Sequence, residues 1–425
     1  MTIKNYIFKN LWLQVVLSLI IGLTVGLILG DDASVGLDDD TLDTLTSYLK
    51  IPANLFLSII QMIIVPLIFA SIVVAITNLG AKDKLKTLGL GIGVYFVITT
   101  TIAILVAVFL ASVISPGSIL DLTALQESHD LSDNDLQIKD GFSLDDIPSI
   151  IPNIIPSNPI FSYLEGQMFS ILVMALIVGL SMAVLPKESI KPVLDLLESI
   201  QKITLYILIF SMKIVPFAVF GLIVGMVATV GIGTMVGLGV YMGTVVLGLG
   251  VMLLVYMLIL KFVAKRSVLS TFAKFRNPQT LAFSTASSMA TMPVTLKTAE
   301  DDLKIDPEVS KFVIPLGTTV NMDGTALYQV IAVFFLAQLF SIELSLLAML
   351  VIIVTSLLAS IGTPAVPGAG VIVLSTILVT VGIPPVGILL LISVDRILDM
   401  IRTMVNVTGD LTASCVFDKI TRDKV

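Results

Sequence analysis

The chain has 425 residues, of which 56% are hydrophobic and only 13% charged, with a formal net charge of −7. Ordinary soluble proteins are about one quarter charged, so composition excludes a typical cytosolic enzyme, and the acidic balance disfavours nucleic-acid binding because it would repel phosphate backbones. A single cysteine, Cys415, and a single histidine, His129, exclude an intramolecular disulfide and cysteine- or histidine-rich metal clusters, and leave little scope for His-centred catalysis. A polytopic membrane protein remains.

Crossing a bilayer takes about 20 predominantly apolar residues. Blocks of that length fall at 10–30, 51–79, 87–115, 160–186, 196–229, 232–263, 308–340 and 382–415. No small-residue cleavage site closes the first block, so it is expected to remain as a span and not be removed as a signal peptide. Lys4 and Lys9 precede the first block, and Lys82, Lys84 and Lys86 lie between the second and third. Lys187, Lys191 and Lys202 surround the link after the fourth, and Lys261, Lys265, Arg266, Lys274 and Arg276 follow the sixth. Lys419, Arg422 and Lys424 end the chain. The alternate links are acidic: Asp31, Asp32, Asp38, Asp39, Asp40 and Asp43 in one, and eight carboxylates against Lys139 in the stretch 121–146. His129 lies in that second link and reads as an exposed, idle residue. Basic loops face the cytoplasm, so the pattern predicts eight spans with both termini inside.

That parity holds only if two broken apolar segments, 270–298 and 341–378, enter and leave on the same side. Their tips read STASSMATMP (284–293) and SIGTPAVPGAG (360–370). Non-helical backbone at membrane depth must be buried in protein or line a cavity, which makes each tip a candidate binding element. The alternative is a plain surface loop between two short helices.

The seventh block contains PLGTTVNMDGTALYQ (315–329). Pro315, Gly317, Asn321, Asp323 and Gly324 are poor mid-helix residues and predict an unwound turn. Unwinding exposes carbonyls, and Asn321 and Asp323 place side-chain oxygens beside them. That chemistry suits a hard cation, monovalent if no second carboxylate adjoins. Asp410 could complete the cage, and the Met322 thioether could approach the ion. A kinked helix with one buried Asp is the plainer reading.

The eighth block reads SVDRILDMIRTMVNVTGDLT from 393 onward. Asp395, Asp399, Arg402, Asn406 and Asp410 project within an arc of roughly 80°, over about 22 Å of helix. Thr403 stands at the edge of the arc and Arg396 just beyond it. Such a stripe cannot face lipid. It is either a self-neutralising structural feature or a site for a zwitterion with an extra acid group, the guanidinium gripping carboxylate and an aspartate accepting ammonium. Two other classes compete: an intramembrane aspartyl protease, for which VTGD lacks a partner YD motif, and a cation channel, which the mixed Asp/Arg stripe suits less well.

Together NMDGTALYQ, VPGAG and DRILDMIRTMVNVTGDLT resemble the signature stretches of the glutamate/aspartate transporter family, the dicarboxylate/amino acid:cation symporters. The likeness runs from about 50 to 415 and is most specific from 284 onward. It implies an all-α polytopic membrane protein of eight transmembrane helices plus two re-entrant helical hairpins, working as an elevator within a homotrimer in the lipid of the plasma (inner) membrane. Scaffold spans one and two would occupy 1–79, span three of the transport domain 80–120, an extracellular acidic loop 121–159, scaffold spans four and five 160–229, and the rest of the transport domain 230–425.

Carried over residue by residue, the resemblance gives Arg402 the substrate's side-chain carboxylate and Asp399 its amino group. Asn406, Thr325, Thr403, the first tip at Ala286, Ser287 and Ser288, and Val366 and Gly370 of the second would complete the substrate site. Three sodium sites are implied, built on Gly317, Asn321, Asn406 and Asp410; on Thr319, Ser360, Ile361 and Thr363; and on Thr99, Thr100, Asn321, Asp323 and the Phe96 carbonyl. Ala286 replaces the hairpin arginine of archaeal relatives, with Arg396 as the substitute cation. Gln329 stands where animal transporters have a proton-carrying glutamate, and Asp410 matches the sodium-coupled branch. Pro364 and Ala365 also depart from the archaeal tip. The expected activity is sodium-coupled uptake of L-aspartate, with L-glutamate as a further substrate. The rival is a proton-coupled glutamate or C4-dicarboxylate carrier of the same family, and no catalytic residue is implied.

Overall fold

The structure, a computed structural model, describes residues 11–29, 39–79, 86–119, 158, 168–211, 213–230, 233–384 and 387–423. The acidic stretch 121–146, with His129, lies outside them. Regular structure among the described residues is helical throughout, as a chain must be when no water is present to satisfy its backbone. The first helices are α1 (Leu11–Leu29), α2 (Asp39–Leu79) and α3 (Lys86–Ile114), the last followed by a short 3₁₀ turn at Pro116–Ile119. Next come α4 (Met168–Val184), α5 (Lys187–Ser211), α6 (Val215–Val230) and α7 (Gly233–Phe262). The two broken segments give a seven-residue α8 (Val268–Lys274), then α9 (Arg276–Thr285) with α10 (Ser288–Lys297), and α13 (Leu346–Gly362) with α14 (Ala369–Thr380). Between them lie α11 (Pro307–Val320) and α12 (Asp323–Leu339), and α15 (Ile388–Arg422) closes the chain.

Among the described residues, three helical stretches are long and apolar enough to cross a membrane: Gly91–Ile119, Val236–Phe262 and Pro307–Leu339. Other apolar helices are shorter, Leu346–Ile361 and Ala369–Thr380 among them. The block 196–229, read from sequence as one span, is divided between α5 and α6, with a turn at Lys213–Ile214. Pro216 accounts for the restart: lacking an N–H and fixed near helical φ, it fits the first turn of a new helix better than the interior of an old one.

The helices sort into two packed groups. In one, α1 and α2 pack on α6, and α4 and α5 pack on α2. Small residues set these distances: a Cβ on Gly22 would lie 3.0 Å from the Phe220 carbonyl, and one on Gly221 would overlap the Leu49 carbonyl. Gly22/Gly26 and Gly221/Gly225 both keep the four-residue spacing that lets membrane helices approach closely. In the other group α15 runs through the middle, contacted by α7, α9, α11 and α12, with α3 against α12. The polar stripe of α15 therefore faces protein, and Asp395, Asp399, Arg402, Asn406 and Asp410 are all buried.

Candidate substrate and ion site

The charged part of α15 forms a compact cluster. Arg402 is 1% exposed, and its Nη1 donates to Asp395 Oδ1 at 2.9 Å while Nε donates to Asp399 Oδ1 at 3.0 Å. These partners lie seven and three residues back along the same helix, two turns and one turn away. The guanidinium also lies over the Tyr328 ring, 4.1 Å from its centroid, a cation–π contact with α12. Its Nη2 lies 2.9 Å from the same Asp399 oxygen, an ion-pair contact without hydrogen-bond geometry. Arg396, 7% exposed, reaches only Asp399 Oδ2 at 3.8 Å, and its Nε and Nη1 are buried without partners. Two carboxylates and two guanidiniums thus share one buried site, with donors left over.

Both broken segments bring their tips to this cluster or to one another. Ala286 caps α9 in the left-handed region (φ 51°), turning the chain so that Ser287 caps α10. Ser287 Oγ accepts from Ala290 N at 3.2 Å and donates to the Ala365 carbonyl of the other tip at 2.8 Å. Gly368, at φ 78°, supplies the turn into α14, and its N–H donates to Asp399 Oδ2 at 2.9 Å. A Cβ on Gly370 would lie 2.7 Å from Arg402 Nη2, so a larger residue would push the guanidinium away. The Gly370 carbonyl accepts from Gln329 Nε2 at 3.2 Å, and Gln329 Oε1 is buried without a partner. Ser288 is buried beside Ser287, and Val366 is half-buried.

The unwound turn is present. α11 ends at Val320 and α12 begins at Asp323, leaving Asn321 and Met322 between them. Asn406 of α15 bridges this turn: its Oδ1 accepts from Gly324 N at 2.8 Å, and its Nδ2 lies 3.3 Å from both Thr325 Oγ1 and Met322 Sδ. Asn321 Nδ2 donates to Asp410 Oδ1 at 2.8 Å, while Asn321 Oδ1 is buried without a donor. The absent side chain of Gly317 makes room for the Asp410 carboxylate, which a Cβ would overlap. Asp323, fully buried, accepts from Thr100 Oγ1 at 2.6 Å and Tyr256 OH at 2.7 Å. Thr99 Oγ1 donates to the Phe96 carbonyl at 3.2 Å. Oxygen atoms from α3, α7, the Asn321 turn, α12 and α15 therefore gather around two carboxylates.

The sequence profile of the Sodium:dicarboxylate symporter family matches residues 11–420. The chain belongs to that family. It is a polytopic membrane transporter and not an enzyme. The "Proton/sodium-glutamate symport protein" of Bacillus subtilis (strain 168) is 32% identical over 407 residues, covering 96% of this chain and 91% of the relative. The "Proton/glutamate-aspartate symporter" of Escherichia coli (strain K12) is 31% identical over 420 residues, 98% of this chain and 94% of that one. "Excitatory amino acid transporter 3" of Homo sapiens is 28% identical, with 98% and 87% covered.

For this member of the Sodium:dicarboxylate symporter family, the structure separates the residues singled out from sequence into three places. Arg402, Asp399, Thr403, Gly370 and the second tip lie at the guanidinium cluster, where the Thr403 hydroxyl is spent on the Asp399 carbonyl at 2.7 Å, and the first tip meets the second at Ser287. Asn321, Asn406, Asp410, Gly317, Asp323, Thr325, Thr99, Thr100 and Phe96 gather at the unwound turn. Thr319, Ile361 and Thr363 instead line a cavity of about 350 Å³ shared with Ser71 and Val74 of α2 and Gln201 of α5. Ser360, buried nearby in sequence, donates to the Leu357 carbonyl at 2.8 Å. Sequence reasoning passed over Tyr256, Tyr328 and Gly368. Tyr256 carried a usable signal, since a hydroxyl within a long apolar span requires a buried partner.

Proposed function

We propose that this transporter is a sodium-coupled symporter that takes up L-aspartate, with L-glutamate as a second substrate, across the plasma (inner) membrane. The reading is supported above all by the buried Arg402–Asp399 pair, set against the second tip. A guanidinium offers two parallel donors to a carboxylate, and an aspartate accepts an ammonium. Both in one dry site describe an acidic amino acid. A neutral side chain would leave Arg402 without its ligand, and a plain dicarboxylate would leave Asp399 without an ammonium.

In this reading Arg402 holds the side-chain carboxylate, Asp399 the amino group, and Asn406, Thr325, Thr403, Ala286, Ser287, Ser288, Val366 and Gly370 frame the rest. Arg396 supplies the second positive charge in place of the hairpin arginine missing at Ala286. Sodium ions occupy the oxygen sets around Asn321, Asp323 and Asp410, and a further set at Thr319, Ser360, Ile361 and Thr363. The two carboxylates at the turn have different partners, Asp323 taking Thr100 and Tyr256 and Asp410 taking Asn321, so each set offers one carboxylate beside amides, hydroxyls and carbonyls, which suits a monovalent cation.

The two helix groups lend support to an elevator mechanism, with α1, α2, α4, α5 and α6 as a static scaffold in a homotrimer and the α15-centred group carrying the cargo. The α9–α10 and α13–α14 pairs are then re-entrant hairpins; with α5 and α6 taken as one broken span, and α11 and α12 as another, this makes eight spans with both termini cytoplasmic.

The test is uptake of labelled L-aspartate into liposomes holding the purified protein, with sodium, proton and potassium gradients imposed one at a time. An inward sodium gradient alone is expected to drive accumulation above equilibrium. Accumulation on a proton gradient alone would overturn the sodium assignment, in favour of the proton-coupled reading that the Escherichia coli relative's name suggests.

A further inference from the structure

The link between α7 and α9 has two unlike sides. Ala264, Thr271 and Phe275 are buried, and Arg266 turns inward to Asp418 at 2.8 Å and the Leu303 carbonyl at 2.8 Å. The outer side presents Phe262 (65% exposed), Val263 and Leu269 (84% exposed) to the surroundings. Lys261, Lys265, Lys274 and Arg276 are exposed around this apolar edge. None of these four cations has a carboxylate partner among the described residues. Lys274 donates to a backbone carbonyl, that of Asp302, and Lys261 lies over the Phe262 ring. Residues 261–276 contain no Asp or Glu, and the carboxylate that reaches this segment, Asp418, is held by Arg266 on the inner side.

The rule that basic loops face the cytoplasm accounts for the sign of these charges, but not for their unpaired placement around an exposed apolar edge. Arg276 is the first residue of α9, the end at which a helix dipole disfavours a cation. An exposed Leu and Phe flanked by unpaired cations, directly at the end of an apolar span, matches what an anionic leaflet surface accepts: side chains entering the acyl boundary and ammonium groups at headgroup phosphates.

We propose that the outer side of residues 261–276 is a docking surface for anionic phospholipid headgroups, with Phe262, Val263 and Leu269 entering the bilayer and Lys261, Lys265, Lys274 and Arg276 meeting the phosphates. Because α9 starts at Arg276, the lipid contact bears directly on the first hairpin and so on the Ala286–Ser287 tip.

The test uses the intact protein in liposomes. The chain has one tryptophan, so Trp12→Phe combined with Leu269→Trp places the sole indole at the proposed contact. Mixed phosphatidylcholine/phosphatidylglycerol vesicles are prepared with brominated acyl chains on one lipid or the other at equal mole fraction. Brominated phosphatidylglycerol is expected to quench the indole more strongly, and raised salt should erase the excess, since the attraction is screened within a Debye length. Adding Lys261→Gln, Lys265→Gln and Lys274→Gln should lower the lipid preference about fivefold per charge, as about 1 kcal/mol per basic residue implies. Equal quenching by the two lipids, or an excess indifferent to salt, overturns the proposal; the salt measurement stands even if the triple variant folds poorly. The readout does not depend on which substrate or ion is carried.

Discussion

Arg402 shows how much can rest on one buried side chain. Removing one member of a buried, hydrogen-bonded ion pair typically costs about 3–5 kcal/mol, because the remaining charge loses its compensation. Arg402→Cys is therefore expected to weaken L-aspartate binding by more than about a hundredfold on that scale, while admitting a small neutral amino acid such as serine. Calorimetric titration in saturating sodium checks this, and unchanged aspartate affinity would exclude Arg402 from the site. Tyr256 gives a second, independent expectation. Its hydroxyl donates to Asp323 at 2.7 Å, and hydrogen bonds to charged groups contribute about 1.5–3 kcal/mol. Tyr256→Phe should raise the sodium concentration needed for half-maximal aspartate binding by roughly tenfold or more on that scale, with the fold unchanged by circular dichroism. At this scale the sequence was informative wherever charge broke an apolar run. Asp323, Asp399, Arg402 and Asp410 could not be overlooked, whereas Tyr328 and Gly368 look ordinary until the fold lays one under a guanidinium and the other beside a carboxylate.

At the scale of elements, the two tips matter most. They meet through Ser287 Oγ and the Ala365 carbonyl at 2.8 Å, a bond between segments almost eighty residues apart in the chain. Ser287→Ala deletes it, and with it the α10 cap. The inter-tip bond contributes about 1 kcal/mol, so bound L-aspartate should leave roughly fivefold faster, as followed by stopped-flow after dilution. A release rate equal to that of the unaltered protein would show that the tips open elsewhere. The breaks in helices were unequally legible. Asn321–Met322 was visible because Pro, Gly, Asn and Asp crowd together there. The α5–α6 turn was passed over although Lys213 and Pro216 mark it, since one cation and one proline in an apolar run do not distinguish one kinked span from two shorter helices.

For the whole molecule, the informative feature is the seam between the two helix groups. The 350 Å³ cavity lies on it, walled by Ser71, Val74 and Gln201 on one side and by Thr319, Ile361 and Thr363 on the other. If the groups slide past each other, a bulky residue here should obstruct travel and leave the binding cluster intact. Val74→Trp is thus expected to cut sodium-driven uptake severalfold while equilibrium aspartate affinity in detergent stays the same; equal losses in both would argue against sliding at this seam. The division into groups was only partly legible, because hydropathy marks spans but not their neighbours.

The self-paired state of Arg402 carries one more consequence. Asp395 and Asp399 already occupy Nη1 and Nε, so under the proposed role of Arg402 an arriving carboxylate would not find an empty socket but would contend with two tethered rivals of the same chemistry. On that proposal, selectivity would arise by exchange. A guest without the right anion is not repelled; it simply fails to evict the resident one, and the guanidinium stays folded back on its own helix.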